Sequence, residues 1–166
     1  VEPGIVLDEL NRFLKPYGLW FPVDVSTSSR ATIGGMAGNN SCGGRSIRYG
    51  MMRDNVINIE AILYDGSIYN FGKIKSNHVN SSKSSGYEII KKLQKLAETN
   101  KEEIISKFPE VLRRVGGYNI DALLPDAMAN RPNGKIGDGI NLSHLLVGSE
   151  GTCLLYTSPS PRDGRI

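Results

Sequence analysis

The sequence has few of the residues that mark disulfide-rich, metal-binding or membrane-spanning proteins. Only two of its 166 residues are cysteines and two are histidines. This gives neither a disulfide framework nor a zinc-site spacing, and it fits a reducing, cytoplasmic compartment. No apolar run reaches the roughly 18 residues of a membrane span, and no signal segment opens the chain. The net charge is +3 and the basic residues are scattered, so composition does not indicate a nucleic-acid partner.

Standard nucleotide-binding motifs are also missing. The sequence contains no G-x-x-x-x-G-K-[ST] segment, which argues against a P-loop. No G-x-G-x-x-G follows a strand with an acidic residue about 20 positions later, which argues against a Rossmann site. His78 and His144 lie far apart in the sequence, so a metal site or a catalytic triad has little support and we predict no metal. If a dinucleotide binds, it binds by another architecture.

Hydrophobic residues make up 39% of the chain, enough for a core, and their spacing predicts helices at 6–15 and 86–107. Pro16 and Gly18 end the first helix, and residues 19–23 are predicted to form a strand. A Ser85–Glu88 capping box starts the second helix, a second cap lies at Asn100, and Pro109 stops it. The predicted buried faces comprise Leu7, Leu10, Phe13 and Leu14 in the first helix and Ile89, Ile90, Leu93, Leu96 and Ala97 in the second.

The dipeptide Asp65-Gly66 predicts a β-hairpin. A two-residue type I′ turn would join strands at 56–64 and 67–71, pairing Leu63 with Ile68 and Ile62 with Tyr69. Apolar side chains then fall on both faces of the hairpin. We therefore expect it to lie inside a larger sheet that is covered on both sides.

Residues 24–50 have no hydrophobic period and are rich in glycine, serine, threonine and asparagine, which predicts a long loop. Glycine lets a backbone approach a ligand closely, so successive N–H groups can converge on an anion. Hydroxyl and amide side chains add neutral donors that suit a pyrophosphate. Composition alone favours equally a solvent-exposed loop that binds nothing.

Several separated segments carry a resemblance. Residues 28–35, 39–43, 48–50 and 54–56, followed by 116–121 and 146–152, resemble in the same order the FAD-binding domain of the FAD-linked oxidase family, of the type found in vanillyl-alcohol oxidase. The opening Val1-Glu2-Pro3-Gly4, followed by Leu7 and Leu10, is similar to that family's lead-in. The likeness runs from residue 1 to about 152 and is nearest to the D-lactate dehydrogenase and glycolate oxidase branch.

The resemblance implies an α+β fold, the second subdomain of an FAD-binding domain, with an antiparallel-rich sheet flanked by helices. It implies non-covalent FAD, since no histidine lies in the glycine-rich loop. Gly34 and Gly35 would let the chain pass close to the pyrophosphate and the flavin. The cofactor-binding residues it implies are Ser28, Ser29, Thr32, Ile33, Gly34, Gly35, Asn39, Asn40, Cys42, Gly43, Tyr49, Gly50, Val56, Glu150 and Gly151.

The activity that the resemblance implies is oxidation of a small 2-hydroxy acid to the 2-oxo acid by hydride transfer to flavin N5, with an external electron acceptor. The expected domain is 1–152, a partial FAD-binding domain, and 153–166 is expected to be a non-native or disordered tail. No catalytic residue is assigned. Alternatives are an enzyme like alkyl-dihydroxyacetonephosphate synthase, which uses FAD without net oxidation, and a fragment that binds no cofactor.

Other side chains in the loop leave two interpretations open. Arg30, Arg45 and Arg48 either offer charge to a phosphate or to the flavin, or are solvated surface charges. Cys42 either touches the flavin or is a small buried thiol, and the second is favoured.

Overall fold

The part of the chain that the structure describes is α+β, with mostly short helices and two separate two-stranded antiparallel sheets. The computed structural model describes residues 1–63, 65–74, 85–109, 111, 113–124 and 140–151. Its helices are α1 (Leu7–Leu14), α2 (Ile33–Gly38), α3 (Ser46–Tyr49), α4 (Ser85–Thr99), α5 (Lys101–Lys107) and α6 (Ser143–Leu146). Its strands are β1 (Ile59–Ile62), β2 (Ile68–Phe71), β3 (Lys73–Ile74) and β4 (Ile140–Asn141). The predicted tail at 153–166 lies outside the described residues.

The first core joins the N-terminal lead-in to the glycine-rich segment. Leu7 and Leu10 of α1 pack with a set of buried residues that come from four other parts of the chain: Val23, Ile33, Met36, Met52 and Val147. The lead-in also pairs with the segment before α2: the Leu7 amide donates to the Ala31 carbonyl, and the Ile33 amide donates to the Ile5 carbonyl, each at 2.9 Å. The two segments therefore form one packed unit.

The first predicted helix is confirmed, and the strand predicted after it is wrong. Pro16 lies in a short 3-10 turn, Lys15–Tyr17, and the chain turns away at Gly18. Phe13 is 66% exposed, so its predicted burial is also wrong. Residues 19–23 have no strand partner; instead the Phe21 amide donates to the Asn11 side chain at 2.7 Å.

The predicted loop at 24–50 contains two helices, α2 and α3. Glycine weakens a helix by about 1 kcal/mol relative to alanine, which is why three glycines within α2 predicted a loop. Tertiary packing overrides that preference, because Ile33 and Met36 lie one turn apart and are both buried. Thr32 caps the helix, accepting from the Gly35 amide at 3.1 Å.

The hairpin is confirmed, but its register is shifted by one residue. Ile62 pairs with Ile68 and Ala61 with Tyr69, while the Leu63 amide donates to the Ser67 carbonyl at 2.8 Å. Three residues therefore lie between the paired positions Leu63 and Ser67, instead of the two residues of the predicted turn. Gly66 has a φ of 80°, and Asp65 does not share the positive φ that a type I′ turn requires.

The shifted register gives the hairpin one buried and one exposed face. Ala61 and Phe71 are buried, and the ring centres of Tyr69 and Phe71 lie 5.1 Å apart. On the other face Ile62 and Ile68 are 70% and 65% exposed. Within the described residues the expectation of a larger sheet covered on both sides is therefore wrong.

The second core lies between the hairpin and the C-terminal helices. Its buried residues are Ala61, Phe71, Ala97, Ile104, Leu123, Leu124 and Leu142. Strand β3 pairs with β4, joining Lys73 to Asn141, which brings the segment that leads into α6 against the hairpin. The polar loop predicted at 125–139 lies outside the described residues.

The predicted helix at 86–107 is present as two helices, α4 and α5, that break at Asn100. The Asn100 side chain does not cap α5. It donates to the Leu96 carbonyl at 2.7 Å and so closes the end of α4. Ala97 is fully buried as predicted, whereas Leu96 is 49% exposed. The chain leaves α5 at Phe108, directly before Pro109.

Phe71→Ala tests which face of the hairpin is buried. We expect a loss of about 3–5 kcal/mol in the free energy of unfolding, because the variant empties a buried aromatic site. The control Ile62→Ala, on the exposed face, should change that free energy by less than about 1 kcal/mol. Urea unfolding measures both, and similar losses in the two variants would contradict the assigned register.

Candidate functional site

The predicted cofactor-binding residues fall into exposed, half-buried and buried groups. Exposed positions can meet a ligand directly: Ser29, Gly35, Asn39, Tyr49, Glu150 and Gly151. Half-buried positions are Ser28, Thr32, Gly34, Gly43 and Val56. Buried positions are Ile33, Asn40, Cys42 and Gly50. They can affect a bound ligand only by positioning the exposed residues around them.

Most backbone N–H groups of the glycine-rich segment already donate within the protein. The Gly34 amide donates to the Pro3 carbonyl at 2.8 Å, and the Ser41 amide donates to the Met36 carbonyl at 2.9 Å. The Gly35 amide donates to the Thr32 hydroxyl. The remaining amides at 33, 36, 39 and 40 likewise donate to backbone carbonyls. The expectation that these amides converge on an anion is therefore wrong: they build α2 and its contact with the lead-in.

Side chains, rather than amides, provide the free donors. Asn39 is exposed, and its Oδ1 accepts from the Ser41 hydroxyl at 2.5 Å. Among the described residues nothing accepts from the Asn39 Nδ2. Ser29 is also exposed and lies at the other end of α2, three residues before the Thr32 cap. Hydroxyl and amide groups of this kind can donate to the oxygens of a diphosphate without supplying charge. We call Ser28, Ser29, Thr32, Gly35 and Asn39, which lie before, within and directly after α2, the polar ledge.

A buried polar cluster lies behind the polar ledge. The Asn40 Oδ1 accepts from the Arg53 amide at 3.0 Å, and the Asn40 Nδ2 donates to the Arg114 carbonyl at 3.2 Å. The Arg53 Nη1 donates to the Asn119 Oδ1 at 2.8 Å. Arg114 Nη2 lies 2.6 Å from Asp121 Oδ1. These five residues, Asn40, Arg53, Arg114, Asn119 and Asp121, are called the buried polar cluster below.

Arg53 is the most deeply buried charge of this cluster, with 1% of its surface exposed. Its Nη1 lies 3.6 Å from Asp121 Oδ2, and its Nε lies 3.9 Å from Asp54 Oδ1. Burial lowers the pKa of Arg53 to about 10, with Asp54 opposing the shift and Arg114 adding to it. The guanidinium therefore stays charged at neutral pH and depends on these partners.

The cluster brings the separated sequence motifs together. The Asn119 Nδ2 donates to the Val147 carbonyl at 2.7 Å. The Gly148 and Glu150 amides donate to the Ala37 and Gly38 carbonyls of α2, each at 2.9 Å. The segments at 39–43, 116–121 and 146–151 thus meet at the C-terminal end of α2. Glu150 and Gly151 lie on the surface there.

Sequence reasoning missed the role of Arg53 and Arg114. Arg53 directly follows two methionines that are both buried, and this position at the end of an apolar pair was the available signal. Asn40 was predicted as a ligand contact, but both ends of its amide are bonded within the cluster. It is also the only non-glycine residue among those described with a positive φ, at 49°.

The remaining predicted contacts have structural partners. Cys42 is a free, buried thiol, as favoured. The Val56 carbonyl accepts from the Asn141 Nδ2 at 3.2 Å. The Met51 amide, which follows Gly50, donates to the Asp54 Oδ2 at 2.8 Å. These contacts hold the chain around the polar ledge in one arrangement.

His144 is half-buried next to the cluster. Its Nε2 lies 3.2 Å from the Asn141 Nδ2, which makes Nε2 the acceptor in a neutral ring. Burial lowers the pKa of His144 to about 4, and the positive charge of Arg53 acts in the same direction. Among the described residues no group of three metal-ligating side chains is found.

Gly43→Ala tests why residue 43 is glycine. A Cβ there would lie 1.7 Å from the Asp24 carbonyl oxygen, whereas a Cβ on Gly44 would come no closer than 3.8 Å to its nearest neighbour. We expect Gly43→Ala to lower the free energy of unfolding by roughly 3 kcal/mol and the control Gly44→Ala to leave it nearly unchanged. Urea unfolding of the two variants measures the difference, and equal stability would disprove the packing explanation.

His144 predicts a pH dependence of stability. Its pKa in the folded state lies below the ordinary 6.5, so the unfolded chain takes up the proton first as the pH falls. Stability is then fully present above about pH 6.5 and decreases toward pH 4, by roughly 3 kcal/mol from this group. His144→Gln, which keeps an acceptor for Asn141, should match the parent chain at pH 8 and lose less on acidification. Parallel acid dependence of the two chains, in urea unfolding at several pH values, would count against this assignment.

Within the part of the chain that the structure describes, no helix has both the length and the apolar character needed to cross a bilayer.

Known proteins resemble this chain over most of its length. Residues 1–72 match the family model described as FAD binding domain. The chain is 31% identical over 160 residues to D-2-hydroxyglutarate dehydrogenase of Escherichia coli K12, an alignment that covers 95% of this chain and 15% of that protein.

Two other relatives have a higher identity over shorter alignments. A probable mitochondrial D-lactate dehydrogenase of Danio rerio is 47% identical over 68 residues, 41% of this chain and 13% of the relative. The glycolate oxidase subunit GlcD of Bacillus subtilis is 39% identical over 72 residues, 43% of this chain and 15% of the relative. The chain thus spans about 15% of the length of these relatives. With the FAD-binding match over residues 1–72 and these relatives together, the chain belongs to the FAD-linked oxidase family.

Proposed function

We propose that this chain is the second-subdomain portion of the FAD-binding domain of a flavin-dependent dehydrogenase that oxidises a small 2-hydroxy acid to the 2-oxo acid. The observation that carries the proposal is the convergence of the three family motifs on the C-terminal end of α2, within a chain whose residues 1–72 match an FAD binding domain. Residues 1–152 would form the partial domain, and 153–166 would be a tail outside it.

The polar ledge is the part of the chain that would hold FAD. The Ser29 hydroxyl and the Asn39 Nδ2 offer neutral donors, and exposed Gly35 between them has no side chain to block an approaching diphosphate. The buried polar cluster would hold the end of this ledge in place, because Asn40, the residue directly after Asn39, is bonded within the cluster. Asn40 and Cys42 would thus support the site from behind.

FAD, when bound, supplies the acceptance of a hydride at N5, which no side chain of this protein can provide. The chain's own contribution would be to bind and orient the cofactor. The polar ledge contributes no net charge, so the negative charge of the diphosphate would be met by hydrogen bonds rather than by ion pairs. No residue of the chain is assigned as the catalytic base.

The substrate class comes from the relatives. The names of three of them refer to D-2-hydroxyglutarate, D-lactate and glycolate, which are all 2-hydroxy acids. We therefore propose a small 2-hydroxy acid as substrate of the whole enzyme, and an external electron acceptor as its second partner. We also propose a cytoplasmic location, from the low cysteine content.

FAD titration of the full chain tests the proposal. Asn39→Asp keeps the acceptor for Ser41 and replaces the free amide donor with a negative charge, so FAD should bind at least about tenfold more weakly. The control Asn70→Asp adds the same charge on the exposed side of β2 and should leave the affinity unchanged. Quenching of flavin fluorescence measures binding.

Two results would oppose the proposal. Absence of any saturable flavin signal with the parent chain would favour a fragment that binds no cofactor. Equal weakening by Asn39→Asp and Asn70→Asp would show a general charge effect and remove the polar ledge from the site.

A further inference from the structure

The turn that follows α1 exposes large apolar side chains on one part of the surface. Phe13 is 66% exposed, Tyr17 is 69% exposed and Leu19 is 59% exposed. The rings of Phe13 and Tyr17 are neighbours, with their centres 6.0 Å apart. All residues from 15 to 20 are exposed, so the turn projects from the first core. Single exposed apolar residues are ordinary, but three at one turn indicate an interaction surface.

The turn is held in one conformation by contacts at its two ends. The Gly18 amide donates to the Lys15 carbonyl at 3.0 Å, and the Leu19 amide donates to the Leu14 carbonyl at 3.3 Å. Leu14, before the turn, and Phe21, after it, pack against the first core. The backbone of the turn is therefore ordered before any partner binds, which lowers the entropic cost of binding.

Two cations flank these apolar side chains. Arg12 and Lys15 are both exposed, and among the described residues neither has a carboxylate within ion-pair distance. The sequence contains no aspartate or glutamate from residue 10 to residue 23. The surface formed by Arg12, Phe13, Lys15, Tyr17 and Leu19 is called the basic apolar turn below.

The exposed face of the hairpin is apolar without being basic. Ile62 and Ile68 pair across the two strands and are 70% and 65% exposed. Glu60, two residues before Ile62 in the same strand, is exposed and adds a negative charge to that face. This isoleucine pair therefore matches Phe13 and Tyr17 in exposed fraction but differs in the charge around it, and it serves as a control below.

The side chains of the basic apolar turn are typical of protein surfaces that lie in the interface of a bilayer. There, aromatic and leucine side chains enter the boundary between headgroups and acyl chains, while lysine and arginine extend to the lipid phosphates. A neutral apolar partner would leave both cations unused, and a small anion would leave the apolar side chains exposed. Lysine is depleted at the centre of protein–protein interfaces, whereas Lys15 lies between Phe13 and Tyr17 in the chain. An anionic lipid surface therefore fits better than a second protein.

We propose that the basic apolar turn binds peripherally to the surface of an anionic lipid bilayer. Phe13, Tyr17 and Leu19 lie in the interface, and Arg12 and Lys15 lie at the lipid phosphates. Attachment of this kind is reversible and needs no membrane-spanning helix. The inference does not rest on the proposed flavin-dependent activity, because the turn contains none of the residues of the polar ledge.

Co-sedimentation of the full chain with lipid vesicles tests the inference. Vesicles of equal parts phosphatidylglycerol and phosphatidylcholine should bind the chain. Vesicles of phosphatidylcholine alone should bind it at least about tenfold more weakly, because they offer no net negative charge to the two cations. Added salt should weaken binding to the anionic vesicles.

A first pair of variants tests the apolar contribution. Phe13→Ala/Tyr17→Ala should lower partitioning into the anionic vesicles at least about tenfold, because it removes most of the apolar area that would leave water. The control Ile62→Ala/Ile68→Ala removes similarly exposed side chains from the hairpin and should leave partitioning unchanged.

A second pair of variants tests the charges. Arg12→Gln/Lys15→Gln should also lower partitioning at least about tenfold. The control Lys92→Gln/Lys95→Gln removes the same charge from exposed positions of α4 and should have no effect. All four double variants change exposed residues only, so urea unfolding should show each to be about as stable as the parent chain.

Three results would overturn the inference. The first is absence of binding to vesicles, or equal binding to the anionic and the neutral kind. The second is an equal loss in a double variant and its control. The third is a dimer of the parent chain, seen by analytical ultracentrifugation without lipid, that Phe13→Ala/Tyr17→Ala abolishes; this would assign the basic apolar turn to contact between two copies of the chain.

Discussion

The arrangement of this protein depends on the hydrogen bond between the buried Arg53 guanidinium and the Asn119 side chain, 2.8 Å long and spanning 66 residues of sequence. Removing a guanidinium from water costs several kcal/mol, and the cost is offset only when its partners are well placed. Asp121, Asp54 and Asn119 supply those partners. Because they come from different parts of the chain, the charge is tolerated only when the segments have come together.

This dependence explains how the candidate site is built. Asn119 also binds the Val147 carbonyl, and Asn40 binds both the Arg53 amide and the Arg114 carbonyl. The same contacts that satisfy the buried charge therefore hold the three family motifs in one place. Most backbone N–H groups of the glycine-rich segment donate to acceptors inside the protein. A ligand would therefore be bound mainly by exposed side chains such as Asn39.

Two parts of the surface differ in charge. The polar ledge offers neutral hydroxyl and amide groups, whereas the basic apolar turn combines two cations with exposed apolar side chains. The buried cluster supplies the rigidity that keeps the ledge residues in their positions.

Local sequence patterns predicted the structure correctly where neighbouring residues determine it. The ends of α1 and α5 follow from Gly18 and Pro109, and the hairpin follows from the turn residues at 65 and 66. Predictions were wrong where distant contacts decide. Glycines predicted a loop at α2, but burial of Ile33 and Met36 makes it a helix. The hairpin register depends on which face of the hairpin meets the second core, and burial of Phe71, rather than the turn residues, selects that face.

The sequence by itself determined the family, the order of the motifs and the helices α1, α4 and α5, because these depend on residue identity and short spacing. Only the tertiary structure decided which motif residues are free to bind and which are used for folding. Asn39 and Asn40 are neighbours of the same type, yet one is exposed and the other is fully buried. The reason is physical: the partners that use the Asn40 amide lie 13 and 74 residues away, and only folding brings them within hydrogen-bond distance.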